Sequence, residues 1–212
     1  ALSASFLLSC VAVYQWIDRV ESAAGGHSEG LGALGRSLFM NEGGHGEAVV
    51  TPVVHHITWF QTAGIDFAVG IRMDGLAVMM CFVVTLISLL VHIYSTAYLH
   101  NDIRYTHYYA MLSLFTAAML TLVVADNTLQ VLLGWEGVGL CSFALIGHWW
   151  EEGANSKAAL KAFFTTRTGD VGLLIGIIIL FWATDSFDIG RINTYALSPG
   201  ADHALMLAAA SC

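Results

Sequence analysis

Residues 127–150 read NTLQVLLGWEGVGLCSFALIGHWW, and Glu136 is the only formally charged group in those twenty-four positions. At about 1.5 Å per helical residue, such a run is long enough to cross the ~30 Å hydrocarbon core of a bilayer. A lone carboxylate within it costs on the order of 2–3 kcal/mol on insertion scales, so it calls for a partner or a task. About 15 Å of helix separates it from Asn127, which places it near the midplane. Gly134, Gly137 and Gly139 surround it, and small residues let neighbouring helices approach closely. Desolvation and a nearby cation act on the proton affinity of such a group in opposite senses, and a carboxylate poised between them takes and releases a proton. The plainer reading is a protonated Glu hydrogen-bonded across a helix interface.

The flanking sequence repeats the pattern. Apolar runs cover residues 1–17, 74–99, 106–125 and about 158–184, and another begins near 204. Tyr94 and Tyr98 close the second run and a Tyr cluster opens the third, as interfacial anchors do. The composition agrees: 57% hydrophobic and 11% charged, against roughly 25% charged in soluble domains, with a mean hydropathy of +0.68. The fold expected is an all-α polytopic transmembrane helix bundle of about five spans plus the start of another. Both ends fall inside apolar stretches, which reads as an internal piece of a longer polytopic protein.

Residues 18–73 are expected to lie outside the membrane. The part over 18–55 is rich in Gly, His and Glu and has little to bury. After it, ITWFQTAGIDFAVGIRMDG holds two alternating runs around Ala63-Gly64, the pattern of a small β-hairpin packed against the membrane face. Residues 74–212 then form the transmembrane domain. Basic residues fall on both sides of the spans, so charge does not fix the topology.

The net charge of −8 argues against a nucleic-acid partner. Cys10, Cys81, Cys141 and Cys212 sit in apolar segments without C-x-x-C spacing, which indicates neither a disulfide framework nor a zinc site. His55 and His56, with His27 and His45, lack helical ligand spacing. No phosphate loop, nucleophile elbow or iron–sulfur cysteine run is present.

The fifth run supplies cations. Lys157 and Lys161 are four apart on one helical face, and Arg167 and Asp170 are three apart on another. Lys157 snorkels to the surface. Arg167 and Asp170 lie too deep for that escape; they form an internal pair or contact a neighbouring span, and a structural ion pair without transport is the plainer alternative. Lys161 is the expected partner of Glu136 from the adjacent helix. Gly172 and Gly176 form a small-xxx-small packing surface. His92, His100, His107 and His148 lie at span ends, as interfacial residues or, for His148 and His92, as proton relays.

The run LLGWEGVGLCSFALIGHWW followed by KAALKAFFTTRTGDVGLLIGI closely resembles the largest antiporter-like subunit of respiratory complex I, the L-type subunit of the bacterial enzyme equivalent to mitochondrial NADH dehydrogenase subunit 5. RMDGLAVMM, LLVHIYSTAYLHNDIRYTHYYAMLSLFTAAML and VVADNTLQVLLGWE support the likeness, which runs from Ile65 to Cys212. The resemblance implies a proton-translocating subunit of the membrane arm, in a bacterial plasma membrane or the mitochondrial inner membrane. Its partners are the other complex I subunits, especially neighbouring antiporter-like ones, and the lipid bilayer. It implies no cofactor on this chain, since NADH, FMN, Fe–S clusters and quinone are used by partner subunits. The family's functional carboxylate in W-E falls on Glu136, the Arg and Asp of T-R-x-G-D on Arg167 and Asp170, and the Lys of K-A-F on Lys161. In this family a Glu–Lys pair switches the proton affinity of a central lysine, expected in the span after Cys212. The rival resemblance is to the large subunit of Mrp-type sodium/proton antiporters, with membrane-bound hydrogenase subunits behind it. From a different class, the buried charges could pin helix packing in a purely structural scaffold.

Overall fold

The computed structural model describes residues 2–23, 51–62, 65–198 and 202–211. The Gly/His/Glu-rich stretch over 24–50 (with His27 and His45), the Ala63-Gly64 turn and Cys212 lie outside the described residues. Seven helices and two strands are described: α1 Leu2–Ala23, β1 Val53–Thr62, β2 Ile65–Met73, α2 Gly75–Tyr98, α3 Tyr105–Val123, α4 Thr128–Ile146, α5 Gly153–Thr184, α6 Ile189–Ala196 and α7 His203–Ser211. Helices α2 to α5 are long and apolar enough to cross a membrane, and the expected helical bundle with a small antiparallel hairpin is the fold observed.

The helices divide between two compact units. In the first, residues 1–54 with 72–98, α1 packs on α2. Trp16, Val20 and Val78 are buried together, with Val13 and Met73 against them. Higher up the pair the contact turns polar: the hydroxyls of Ser9 and Thr85 are 2.8 Å apart, and Thr85, Ser88, His92 and Ser95 are buried along one stripe of α2. Small and hydroxylated residues of this kind let membrane helices pack closely. The Asp74 side chain starts α2 by accepting from the Ala77 N–H at 2.8 Å, as a capping residue does. Helix α1 carries Asp18, Arg19 and Glu21 in its last turns and extends through Ala23, past the expected end at 17; it is not among the helices apolar enough to span.

The second unit, residues 55–71 with 99–212, holds α3 to α7. Helix α4 packs on both α3 and α5, and α7 lies against α5. The glycines set the spacing. A Cβ placed on Gly134 lies 2.8 Å from the Leu122 backbone nitrogen, so only glycine permits this approach of α3 to α4. Asn127 caps α4, its Oδ1 accepting from the Gln130 N–H at 2.7 Å, and so ends the short polar connection over Ala125-Asp126-Asn127. The same segment seats the hairpin: Asn127 Nδ2 donates to the Ala68 carbonyl, the Gly70 N–H donates to Gln130 Oε1 at 3.2 Å, and Ile71 bridges to Ala125. Helix α5 ends at Asp185, whose φ of 49° is left-handed. The chain then pairs back through the Thr128 N–H to the Phe187 carbonyl at 2.9 Å. Asp188 caps α6, accepting from the Arg191 N–H at 2.7 Å; this helix was not among the expected segments. Large apolar side chains such as Trp182, Leu133 and Leu207 point outward, as lipid-facing positions do.

Candidate functional site: a carboxylate pair sharing one guanidinium

Glu136 lies in the middle of α4 and Arg167 and Asp170 in the middle of α5. Arg167 forms an ion pair with Glu136, and its Nη1 is 3.2 Å from Asp170 Oδ2 one turn on. Nη2 also donates to the Glu136 backbone carbonyl at 3.5 Å. One guanidinium therefore serves two carboxylates from two helices, a task its planar fork of donors suits and a lysine ammonium does not. Gly139 of α4 lies alongside, where a Cβ would stand at ordinary contact distance, 3.4 Å, from Arg167 Nη2. Phe163, one turn back on α5, supports the guanidinium from its ring face at 4.7 Å, where a cation is attracted by the ring quadrupole.

Asp170 is the more enclosed carboxylate, its side chain 10% exposed against 36% for Glu136. Its second oxygen is held by Trp135, whose indole N–H donates to Oδ1 at 2.7 Å. Trp135 precedes Glu136 in sequence, so α4 offers a hydrogen bond to one carboxylate and a carboxylate of its own to the shared cation. With Arg167 charged and both acids ionised, the trio carries one net negative charge. That surplus charge lies beside a guanidinium which either carboxylate can hold in place of the other.

The expected partner of Glu136 was Lys161, and the structure corrects this to Arg167. Lys161 is exposed, and its ammonium is in no ion pair among the described residues. The reason is helical geometry: six residues place Lys161 about 9 Å along α5 from Arg167 and roughly 120° around it. The expected Arg167–Asp170 neighbour pair is present. His92 lies in the other unit, buried on α2 with its Nδ1 2.7 Å from the Ser88 carbonyl, so its ring is tied to its own helix. His148 lies just past the end of α4, beside Asp102 at 3.5 Å. The role of Trp135 was not read from the sequence; only the helical register of α4 against α5 reveals it. Among the described residues no cluster of metal-ligating side chains occurs.

Residues 59–109 match the family described as NADH-ubiquinone oxidoreductase (complex I), chain 5 N-terminus. Residues 125–211 match the family NADH:quinone oxidoreductase/Mrp antiporter, TM. The chain is 46% identical over 137 residues to NAD(P)H-quinone oxidoreductase chain 5 of a Synechocystis species, covering 65% of this chain and 20% of the relative. It is 43% identical over 149 residues to NADH-quinone oxidoreductase subunit L of Rhodobacter capsulatus, covering 67% and 21%. The chain thus spans about a fifth of the length of these curated relatives. In fold it is similar to a chain of the Mrp complex from a Dietzia species, with a TM-score of 0.65 at 22% identity, covering 99% of this chain and 22% of that one. A chain of an archaeal membrane-bound sulfane sulfur reductase gives a TM-score of 0.59 at 13% identity, covering 66% and 28%. With four helices able to span a bilayer and two family matches that together take in more than half of its residues, this integral membrane chain belongs to the antiporter-like chain 5/subunit L family of NADH:quinone oxidoreductases.

Proposed function

We propose that this chain is part of a proton-translocating membrane subunit of an NADH:quinone oxidoreductase, and that Glu136, Arg167 and Asp170 form its proton-carrying site. The observation that carries the reading is the sharing of Arg167 between carboxylates on two helices, near the middle of both. A pKa difference of one unit corresponds to 1.36 kcal/mol of differential interaction. At an effective dielectric of about 20, a unit charge moved to or from contact distance is worth about 4 kcal/mol. A small displacement of Arg167 between Glu136 and Asp170 is therefore enough to load or unload a proton, with no bound cofactor required. Lys161 enters the same pathway as a further cation on α5, at a level where a neighbouring span can meet it. NADH, FMN, iron–sulfur clusters and quinone are handled by partner subunits, and the neighbouring antiporter-like subunits adjoin this one. The membrane is a bacterial plasma membrane or the mitochondrial inner membrane. Residues 74–212 belong to the antiporter-like domain, with 18–73 outside the bilayer.

The second reading is sodium/proton exchange without a redox partner, favoured by the likeness in fold to the Mrp complex chain over nearly the whole length. Glu136→Gln in the full-length protein within its own complex separates the two in inverted vesicles, with assembly followed on native gels. The proposal expects intact assembly and collapse of NADH-driven acidification. Loss of sodium/proton exchange alone supports the antiporter. Loss of assembly with no separate transport defect supports a structural role.

A further inference from the structure

Away from Glu136, a dense group of titratable side chains lies where the 99–104 and 147–152 loops meet the start of α3. His148 is 4% exposed, yet neither of its ring nitrogens makes a hydrogen bond among the described residues. Its Nε2 faces Asp102 Oδ2 at 3.5 Å. His107 of α3 stacks on it with ring centroids 6.3 Å apart and planes at 22°, and Nδ1 of His107 is also buried without a hydrogen-bond partner. Tyr108 of α3 meets the His148 ring edge-on at 5.3 Å. Beside the pair lies a cavity of about 290 Å³ lined by His107, Gly147, Trp150 and Ser156 among others.

The charges around His148 leave a surplus. The Arg104 backbone N–H, at 2.7 Å, and the Trp149 indole N–H, at 2.9 Å, both donate to the Asp102 carboxylate. These donors, with His148 nearby, hold Asp102 below the usual carboxylate range, so it is ionised. The Arg104 guanidinium is engaged elsewhere: it binds both Glu151 oxygens at 2.7 Å and lies 4.2 Å over the Trp150 ring. Arg104 and Glu151 thus cancel, and one negative charge on Asp102 faces an imidazole. The residues that α5 adds to the cavity wall, Ser156, Ala159 and Leu160, carry no charge.

Buried polar atoms without partners cost about 1–3 kcal/mol each, and native proteins leave few of them. Three imidazole nitrogens left so in one cluster, facing an ionised carboxylate, suit a group that takes up a proton. A proton on His148 neutralises the cluster, and the stacked His107 offers a second imidazole on the cavity side.

We propose that His148, with Asp102 and His107, is a second proton-binding site of this chain, which collects protons at the loop end of the α3–α4–α5 bundle. It lies about 18 Å along the chain direction from Glu136 and is built from different residues. Its protonation stands independently of the transport reading; its role as a collector rests on that reading.

The test is exchange of the histidine C2 proton, read residue by residue by mass spectrometry on the intact membrane complex between about pH 5 and 9. His148 is expected to follow a sigmoid curve whose midpoint moves to lower pH in Asp102→Asn, where the facing charge is gone. A flat curve, or a midpoint unmoved in Asp102→Asn, overturns the site. His148→Gln is then followed by NADH-driven acidification over the same range, with Glu136→Gln alongside. A several-fold loss confined to the alkaline end, where protons are scarce, supports the collecting role; wild-type rates throughout overturn it. If Glu136→Gln leaves acidification intact while His148 titrates as expected, the transport reading fails and the proton-binding site stands.

Discussion

Replacing Arg167 by methionine removes a cation that two carboxylates share while keeping most of the side-chain volume. Glu136 loses its ion-pair partner, and among the described residues Asp170 retains the Trp135 indole at 2.7 Å. Removing one partner of a buried ion pair costs about 3–5 kcal/mol, because the charge left behind is uncompensated. Glu136 is 36% exposed, which places the expected cost at the lower end, about 3 kcal/mol. That is more than a hundredfold in the unfolding equilibrium, at tenfold per 1.4 kcal/mol. The assay is reversible unfolding of the full-length subunit in mixed detergent micelles, run as a double-mutant cycle with Glu136→Gln. Neutralising Glu136 in the Arg167→Met background removes one stranded charge, so the double variant should recover about half of the lost stability, a coupling well above 0.5 kcal/mol. Strict additivity of the two single effects would refute the shared-cation arrangement.

Trp135→Phe keeps the ring and deletes the donor to Asp170; it should destabilise by about 1.5–3 kcal/mol, as loss of a hydrogen bond to a charged group does, and slow acidification several-fold. Lys161→Met should leave the unfolding midpoint within about 0.5 kcal/mol of wild type, because the Glu136 ion pair does not involve it; a loss as large as that of Arg167→Met would return Lys161 to the pairing role. Gly134→Leu should cost about 1–3 kcal/mol or prevent assembly, since the added atoms meet the Leu122 backbone, which cannot turn aside. The loop pairs give a pH signature: hydrogen bonds to Arg104 and Trp149 depress Asp102, and Arg104 depresses Glu151. Carboxylates lowered in the folded state stabilise it above their unfolded values, near about 4, and that contribution disappears as pH falls through the lowered folded values. Protection of the 99–104 amides, corrected for the intrinsic pH dependence of exchange, should therefore fall on acidification below about pH 4, and Asp102→Asn should lose the part that Asp102 contributes.

Much of the site was legible in the chain because its physics is local. A carboxylate in a run long enough to cross a bilayer marks itself, and the i, i+3 spacing of Arg167 and Asp170 predicts their contact without any tertiary knowledge. The hairpin followed from its two alternating runs and turn chemistry. The identity of the cation beside Glu136 did not follow, because the level of one helix against the next depends on the 147–152 connection and on helix tilt. Lys161 and Arg167 are equally good partners by charge; Phe163 favours Arg167 by giving its guanidinium a ring face to lie on. Trp135 was hidden for the same reason, its hydrogen bond being set by the register of α4 on α5. Helix α6 was passed over although Asp188 before IGRINTYA is a capping signal, because eight residues make too short a run to stand out among membrane spans.

If Glu136 gains and loses a proton during turnover, infrared difference spectra of the intact complex, recorded before and during NADH oxidation, will carry a protonated-carboxyl band that changes on turnover in wild type and is missing in Glu136→Gln. Identical difference spectra from the two proteins would rule out proton exchange at Glu136.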